Sequence, residues 1–175
     1  VGSEMCIRDR NTLRQYHSIL QGHPDMNKTP GVDMTAGSLG NGLSVGVGMA
    51  LSGKLHHQDY MTYVMLGDGE IQEGQFWEAC MYAGAHKLGN LIGIVDSNKI
   101  QLDGRVSEVL DTGDLQAKFE AFGFFVQSID GHDVAAISDA IDRAKAETGR
   151  ASMIIANTVK GKGVSFMENT CKWHG

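Results

Sequence analysis

The sequence predicts an α/β protein with a parallel sheet that is flanked by helices on both faces. Four short runs rich in apolar residues, each typical of a strand, alternate with segments that have the spacing of amphipathic helices. The run from Leu91 to Val95 has no polar side chain, as expected for a strand buried on both sides. Strands that alternate with helices in this way indicate a parallel sheet covered on both sides.

The elements can be placed in order from these patterns. A first helix is predicted over residues 12–20, from the helical spacing of Leu13, Tyr16 and Ile19. A second helix is predicted to open at Ser38, a favourable N-cap residue, and to run to about Leu55. The other predicted elements are strands 60–66, 91–95, 124–129 and 152–159 and helices 73–88, 114–122 and 133–147.

The second helix has an unusual number of small residues, which lowers its helix propensity. Two explanations stay open: close approach of another backbone or of a cofactor, or close packing of the helix alone. The small residues are Gly42, Ser44, Gly46, Gly48 and Ala50.

Polar residues follow two neighbouring strands of the predicted sheet. Gly67-Asp68-Gly69 ends one strand, and Asp96-Ser97-Asn98 ends the next. Ligands of parallel sheets bind at the carboxyl ends of the strands, so Asp68 and Asn98 are expected near one another. Carboxylate and amide oxygens suit Mg²⁺, and the flanking glycines let backbone amides approach a diphosphate.

Bulk properties exclude several classes of protein. The net charge of −6 argues against a nucleic-acid binder. No apolar run reaches the length of a membrane span, and no signal peptide is evident. Three scattered cysteines indicate a reduced, cytoplasmic setting rather than a disulfide framework. Residues 1–10 match no usable pattern and are expected to be a foreign start, and the domain over residues 11–175 is expected to be incomplete at both ends.

Three other motifs do not fit the sites that they resemble. The glycines from Gly37 to Gly48 lack both the G-x-G-x-x-G spacing and a preceding strand. Lys160-Gly161-Lys162-Gly163 lacks the spacing and the hydroxyl of a P-loop. The adjacent histidines His56 and His57 would point apart on a helix, so we expect a solvated helix end there instead of a metal pair.

Taken together in order, the motifs resemble the transketolase family. The similarity covers roughly residues 13–175 and is greatest to the amino-terminal subunit of split transketolases, in which the phosphate-binding and pyrimidine-binding domains are separate chains. It implies a thiamine-diphosphate-binding fold. The stretches that carry it are Gly22 to Asp25, Thr29 to Gly40, Gly67 to Gly74, Asp96 to Ile100, Asp103-Gly104, Lys160 to Val164 and His174-Gly175.

The resemblance implies a binding site for thiamine diphosphate and Mg²⁺ (or Ca²⁺). Asp68 and Asn98 would bind the metal through their side chains, and Ile100 would bind it through its backbone carbonyl. Gly69 would donate its amide to the diphosphate, while Gly37 and Leu39 would line the cofactor near its rings.

Three further residues receive roles from the resemblance. His23 and His174 would face the reacting centre and the cofactor phosphate. A histidine titrates near neutral pH and can exchange protons with substrate hydroxyls. Glu73 would lie in a dimer interface, within an acidic network that links two active sites.

The resemblance also implies a reaction and a partner. A two-carbon ketol unit would pass from a ketose phosphate to an aldose phosphate, within a homo- or hetero-oligomer. The glutamate that activates the cofactor belongs to the pyrimidine domain, so a pyrimidine-domain or C-terminal transketolase chain is the expected partner. The family often has another residue where Ser38 and Ser97 stand, but neither is a proposed metal ligand.

Rival interpretations remain at this point. The decarboxylating subunit of 2-oxo-acid dehydrogenases and deoxyxylulose-phosphate synthase share the Gly-Asp-Gly and the later Asn. We do not expect them to share the block from Thr29 to Gly40 or the segment from Lys160 to Gly175. A non-catalytic binding or dimerisation module with the same fold is the alternative from another class.

Overall fold

Four parallel strands form the central sheet, and their order in the sheet differs from their order in the chain. The structure is a computed structural model that describes residues 11–174. The strands are β1 (Thr62–Gly67), β2 (Leu91–Ser97), the short β3 (Ile100–Gln101) and β4 (Gly104–Arg105), β5 (Phe125–Asp130) and β6 (Ser152–Asn157). The sheet order is β1-β2-β6-β5, with every neighbouring pair parallel, whereas β3 and β4 form a separate antiparallel hairpin.

Helices cover both faces of this sheet, as the sequence predicted. The helices are α1 (Asn41–Leu55), α2 (Gly74–Ala85), α3 (Val106–Val109), α4 (Leu115–Ala121) and α5 (Val134–Ala146). Helices α1, α2 and α4 contribute to one buried cluster with alternate residues of the strands, such as Leu66 and Val95. Helix α5 places Ala140 and Ala144 in a second cluster with Ile92 and Ile154. None of the helices within residues 11–174 is long and apolar enough to span a membrane.

Helix α1 packs closely on β1, and this explains one of its small residues. A Cβ atom at Gly46 would clash with Cγ2 of Val64. The space around Gly48 is open, because a Cβ atom there would meet nothing within 4 Å. Of the two explanations for the small residues, close packing on the sheet therefore applies at Gly46.

The predicted start of this helix at Ser38 is wrong. The N-cap is Gly40, with a left-handed φ of 81°, and the helix begins at Asn41. The glycine turns the chain there while its backbone amide donates to Glu70 Oε1 at 2.9 Å, so the helix starts two residues later than Ser38 would allow.

The residues before Gly40 form a compact unit of their own, of which residues 11–39 are described. The helix predicted over residues 12–20 is wrong, because Arg14 and His17 adopt left-handed φ angles of 63° and 65° that interrupt any helix. Turns take its place, and Tyr16 is 90% exposed. The buried Thr29 donates its hydroxyl to the carbonyl of Ile19 at 2.6 Å and ties the unit together.

Two helix ends carry exposed side chains. Val134, the first residue of α5, is 79% exposed because it precedes the packed turns of that helix. The pair His56 and His57 is exposed at the end of α1, as predicted. The expectation of a foreign start concerns residues 1–10, which lie outside the described residues.

Candidate cofactor and metal site

Asp68 lies directly after β1, at the carboxyl edge of the sheet. Its side chain is only 3% exposed. The carboxylate oxygen Oδ2 accepts a hydrogen bond of 2.5 Å from the backbone amide of Lys99. Gly67 pairs in register with Asp96 of β2, so the turns after the two strands leave the sheet side by side. This contact confirms that Asp68 and the segment of Asn98 meet at one edge of the sheet.

Burial raises the pKa of the Asp68 carboxyl above its usual value. The amide of Lys99 and the nearby Lys99 ammonium oppose that rise, while the carboxylate of Asp96 adds to it. A buried carboxylate with few cationic neighbours is short of positive charge, and a bound cation would supply it.

Asn98 is held in place from both sides of its amide group. Its Nδ2 donates to Asp96 Oδ2 at 3.2 Å, and its Oδ1 accepts from the amide of Ile100 at 3.0 Å. Asp96 accepts a second hydrogen bond, from the hydroxyl of Thr158 just beyond β6. A chain of hydrogen bonds from β6 through β2 thus fixes the direction in which the amide oxygen of Asn98 points.

Gly69 lies against the side chain of Gln101. A Cβ atom at Gly69 would lie 2.8 Å from Cβ of Gln101 and 3.2 Å from its Oε1, so only glycine fits without displacing that side chain. The Oε1 atom of Gln101 is buried, and it has no hydrogen-bond partner among the described residues. A free acceptor against the glycine that follows the buried Asp68 is an arrangement that a hydrated cation would complete.

The ligand types around Asp68 suit Mg²⁺ better than a transition metal. Residues 11–174 contain no group of three His, Cys, Asp or Glu side chains placed to hold a metal. The oxygens of Asp68, Asn98 and the Ile100 carbonyl are hard donors. Mg²⁺ commonly uses one or two carboxylates from the protein and completes its shell with waters and phosphate oxygens. The residues present therefore fit a magnesium–diphosphate group.

A cavity of about 450 Å³ opens at the same edge of the sheet. Its floor is apolar, with Ile94 and Ile154 from β2 and β6. Polar groups from the chain segments that follow β2 and β6 complete its lining, among them Asn98, Thr158 and Lys160.

Three of the predicted site residues belong to the unit that precedes Gly40. Gly37 has a φ of 142°, and a Cβ atom there would lie 3.0 Å from Cγ of His23. The structure thus brings His23 and Gly37 together within this unit. Leu39 is 60% exposed at its end. The roles assigned to these residues stay predictions.

The other two predicted residues, Glu73 and His174, are both exposed. Glu73 occupies the N-cap position of α2, but its side chain makes no capping hydrogen bond. His174 Nδ1 lies 2.9 Å from the ammonium nitrogen of Lys160. Their roles in a dimer interface and at the reacting centre likewise stay predictions.

Glu70 is a structural part of the site to which the sequence analysis gave no role. Its Oε1 accepts from the amide of Gly40, and its Oε2 accepts from the amide of Gly67 at 3.1 Å. The carboxylate therefore joins the start of α1 to the strand end that carries Asp68. An acid after Gly-Asp-Gly is visible in the sequence, but its partner thirty residues earlier is not.

Comparison with known proteins identifies the family. The sequence model described as the transketolase thiamine diphosphate binding domain matches residues 1–175. The chain belongs to the transketolase family. This result favours transketolase over the 2-oxo-acid dehydrogenase and deoxyxylulose-phosphate synthase alternatives.

Two curated relatives of this transketolase-family chain are named as subunits. The 6-deoxy-6-sulfo-D-fructose transketolase subunit SqwG of Clostridium sp. (strain MSTE9) is 47% identical over 94% of this chain and 60% of that protein. An apulose-4-phosphate transketolase subunit of Phocaeicola vulgatus is 41% identical over 94% of this chain and 58% of that protein. The chain therefore spans about 60% of the length of these relatives.

Solved transketolase structures share the fold. The transketolase from Campylobacter jejuni aligns with a TM-score of 0.91 and 38% identity, over 98% of this chain and 28% of that one. Transketolase from Leishmania mexicana aligns with a TM-score of 0.86 and 32% identity, over 97% of this chain and 28% of that one. The predicted fold, a parallel sheet flanked by helices as in thiamine-diphosphate enzymes, is confirmed.

Proposed function

We propose that this chain anchors thiamine diphosphate through a magnesium ion and forms part of a ketol-transferring enzyme. Asp68 and Asn98 would hold the ion with their side chains and Ile100 with its carbonyl, and Gly69 would donate its amide to the diphosphate. The observation that carries the proposal is the hydrogen bond between the buried Asp68 carboxylate and the Lys99 amide, since it joins the two segments that supply these ligands.

The surrounding residues prepare the site for a cation. Asp96 and Thr158 orient Asn98, and Glu70 fixes the backbone that precedes Asp68. A metal site depends on such supporting hydrogen bonds as much as on its direct ligands. These groups are ordered when the chain folds, so their ordering does not reduce the free energy of ligand binding.

Thiamine diphosphate, when bound, supplies the carbanion chemistry that cleaves and forms the carbon–carbon bond beside a carbonyl. His23 would exchange protons with hydroxyl groups of the sugar phosphate substrate. His174 would face the diphosphate, with Lys160 beside its Nδ1. A pyrimidine-domain chain would complete the site within a homo- or hetero-oligomer in which Glu73 lies at the interface.

Calorimetric titration of thiamine diphosphate into the purified chain tests the anchoring step. We expect binding in the presence of Mg²⁺, loss of binding in EDTA, and loss of binding in Asp68→Ala. Asp139→Ala is a matched control, because it removes an exposed carboxylate on α5, and it should bind as the wild type does. Binding that survives both EDTA and Asp68→Ala would refute the proposed site.

A further inference from the structure

Gln101 carries a buried acceptor that has no partner among the other residues of the described range 11–174. Its Oε1 is one of two buried side-chain nitrogen or oxygen atoms among the described residues that lack a hydrogen-bond partner; the other is Oγ1 of Thr62. Buried polar atoms are nearly always paired in folded proteins, so an unpaired one calls for a partner outside the described residues. A ligand or a bound water is the usual partner.

The position of this acceptor indicates which ligand it serves. Gln101 follows Ile100, and the peptide bond between them contains the carbonyl proposed to bind the metal. Its Oε1 lies 3.2 Å from the point where a Cβ atom of Gly69 would be, and Gly69 directly follows Asp68. The free oxygen therefore lies against Gly69, next in sequence to Asp68, and on the residue that follows Ile100.

The short hairpin of β3 and β4 holds Gln101 there. Gln101 pairs with Gly104, and Ile100 pairs with Arg105. Ile100 is 5% exposed, which fixes the backbone, and the absence of a side chain at Gly69 leaves space for the Gln101 side chain. The acceptor is thus held in place by the fold before any ligand binds.

We propose that Gln101 is a positioning residue for the cation: its side-chain oxygen accepts a hydrogen bond from a water molecule that the metal binds. This inference rests on the proposed function, because the metal is the one proposed for Asp68 and Asn98. Mg²⁺ keeps several waters when it binds to proteins, and those waters are strong donors that need acceptors. The amide oxygen of Gln101 is neutral, so it can accept such a bond without adding a second buried charge to the site.

Gln101→Met tests this role, because methionine keeps the length and shape of the side chain and removes the oxygen. Supporting residues of metal sites typically contribute about 10- to 100-fold in metal affinity. We therefore expect Mg²⁺, titrated by calorimetry in the presence of thiamine diphosphate, to bind Gln101→Met about tenfold or more weakly. Without Mg²⁺ this variant should melt at or above the wild-type temperature, because it loses an unpaired buried acceptor. A residue with a merely packing role would lower that temperature instead.

Two further variants complete the experiment. Gln101→Glu retains acceptor oxygens and adds negative charge, so it should bind Mg²⁺ more tightly than the wild type does. If Gln101→Met does not fold, the result with Gln101→Glu tests the proposal instead. Thr62→Val removes the other unpaired buried oxygen, at the opposite end of β1 from Asp68, and it should leave Mg²⁺ affinity unchanged.

The outcomes separate the two proposals. If the wild-type chain shows no Mg²⁺-dependent binding, the proposed function fails and this inference fails with it. A second outcome is that the wild type binds Mg²⁺ while Asp68→Ala does not. If Gln101→Met then binds Mg²⁺ with the wild-type affinity, only the role of Gln101 is refuted. Weaker binding in Gln101→Glu would also refute it.

Discussion

Asp68 is buried, and its hydrogen bond from the backbone amide of Lys99 does not compensate the loss of water around its negative charge. The side chain is 3% exposed, and burial is the main cause of its raised pKa. Charged groups that lose their water need a partner of opposite charge. The charged Asp68 side chain therefore lowers the stability of the metal-free protein at neutral pH. Residues with perturbed pKa values of this kind are common at binding sites.

The Asp68→Asn variant should reveal this cost. A carboxyl with a raised pKa in the folded protein contributes stability that is complete below the ordinary aspartate pKa, about 3.9, and is lost as pH rises through the folded pKa. In EDTA at mildly alkaline pH, the variant should therefore melt at a higher temperature than the wild type, and the difference should shrink in acid. Thermal melts across pH measure this, and a variant that melts lower in EDTA at alkaline pH would contradict it.

The Gly69→Ala variant should damage the site through a single methyl group. The added Cβ would lie 2.8 Å from Cβ of Gln101, and overpacking of this kind costs about 1–3 kcal/mol. We expect lower stability by chemical denaturation and weaker binding of thiamine diphosphate. Gly74→Ala is the control, because its Cβ would meet nothing within 4 Å; it should be neutral or more stable by up to about 1 kcal/mol. Equal effects of the two changes would contradict the steric account.

At the scale of elements, the helix ends show why predicted boundaries were inexact. Helix α2 was predicted to reach Leu88 but ends at Ala85. The amides of Lys87 and Leu88 fold back onto the carbonyls of Gly84 and Ala83 at 3.1 and 3.2 Å, as in a Schellman motif. Lys87 takes the left-handed φ of 50° that glycine usually provides, so no glycine marked the end in the sequence.

Helix α1 offers a test of close packing within one element. The Cβ atom of Gly46→Ala would clash with the side chain of Val64, whereas that of Gly48→Ala would meet nothing within 4 Å. Gly46→Ala should destabilise the protein by about 1–3 kcal/mol through overpacking. Gly48→Ala should stabilise it by up to about 1 kcal/mol through helix propensity. Urea denaturation measures both, and a stabilising Gly46→Ala would show that α1 does not pack on β1 as described.

For the whole molecule, the order of strands and helices could be predicted because hydrophobic periodicity is local. The sheet follows from buried runs such as Leu91 to Val95, and the site from polar residues at strand ends. The contacts of Glu70 with Gly40 and of Asp96 with Thr158 could not be predicted, because they join residues far apart in sequence. The helix wrongly predicted over residues 12–20 shows that a local pattern can also mislead. Its apolar residues have helical spacing, but the left-handed φ angles of Arg14 and His17 form turns instead.

The activity of the whole assembly should depend on a second chain. The proposed partner would supply the glutamate that activates the cofactor, so the purified chain should show no ketol transfer with a ketose phosphate and an aldose phosphate. Adding a pyrimidine-domain chain should produce turnover that Asp68→Ala abolishes. A coupled assay of aldose release measures this, and turnover by the purified chain alone would contradict it.

The position of the bound cation would test the proposed cofactor site directly. Crystals of the chain with thiamine diphosphate and Mn²⁺, which replaces Mg²⁺ and gives an anomalous signal, would locate the ion. We expect one anomalous peak in contact with the side-chain oxygens of Asp68 and Asn98 and the carbonyl oxygen of Ile100, the hard oxygen ligands that suit Mg²⁺. Bound thiamine diphosphate with its metal elsewhere, or with no metal at Asp68, would contradict it.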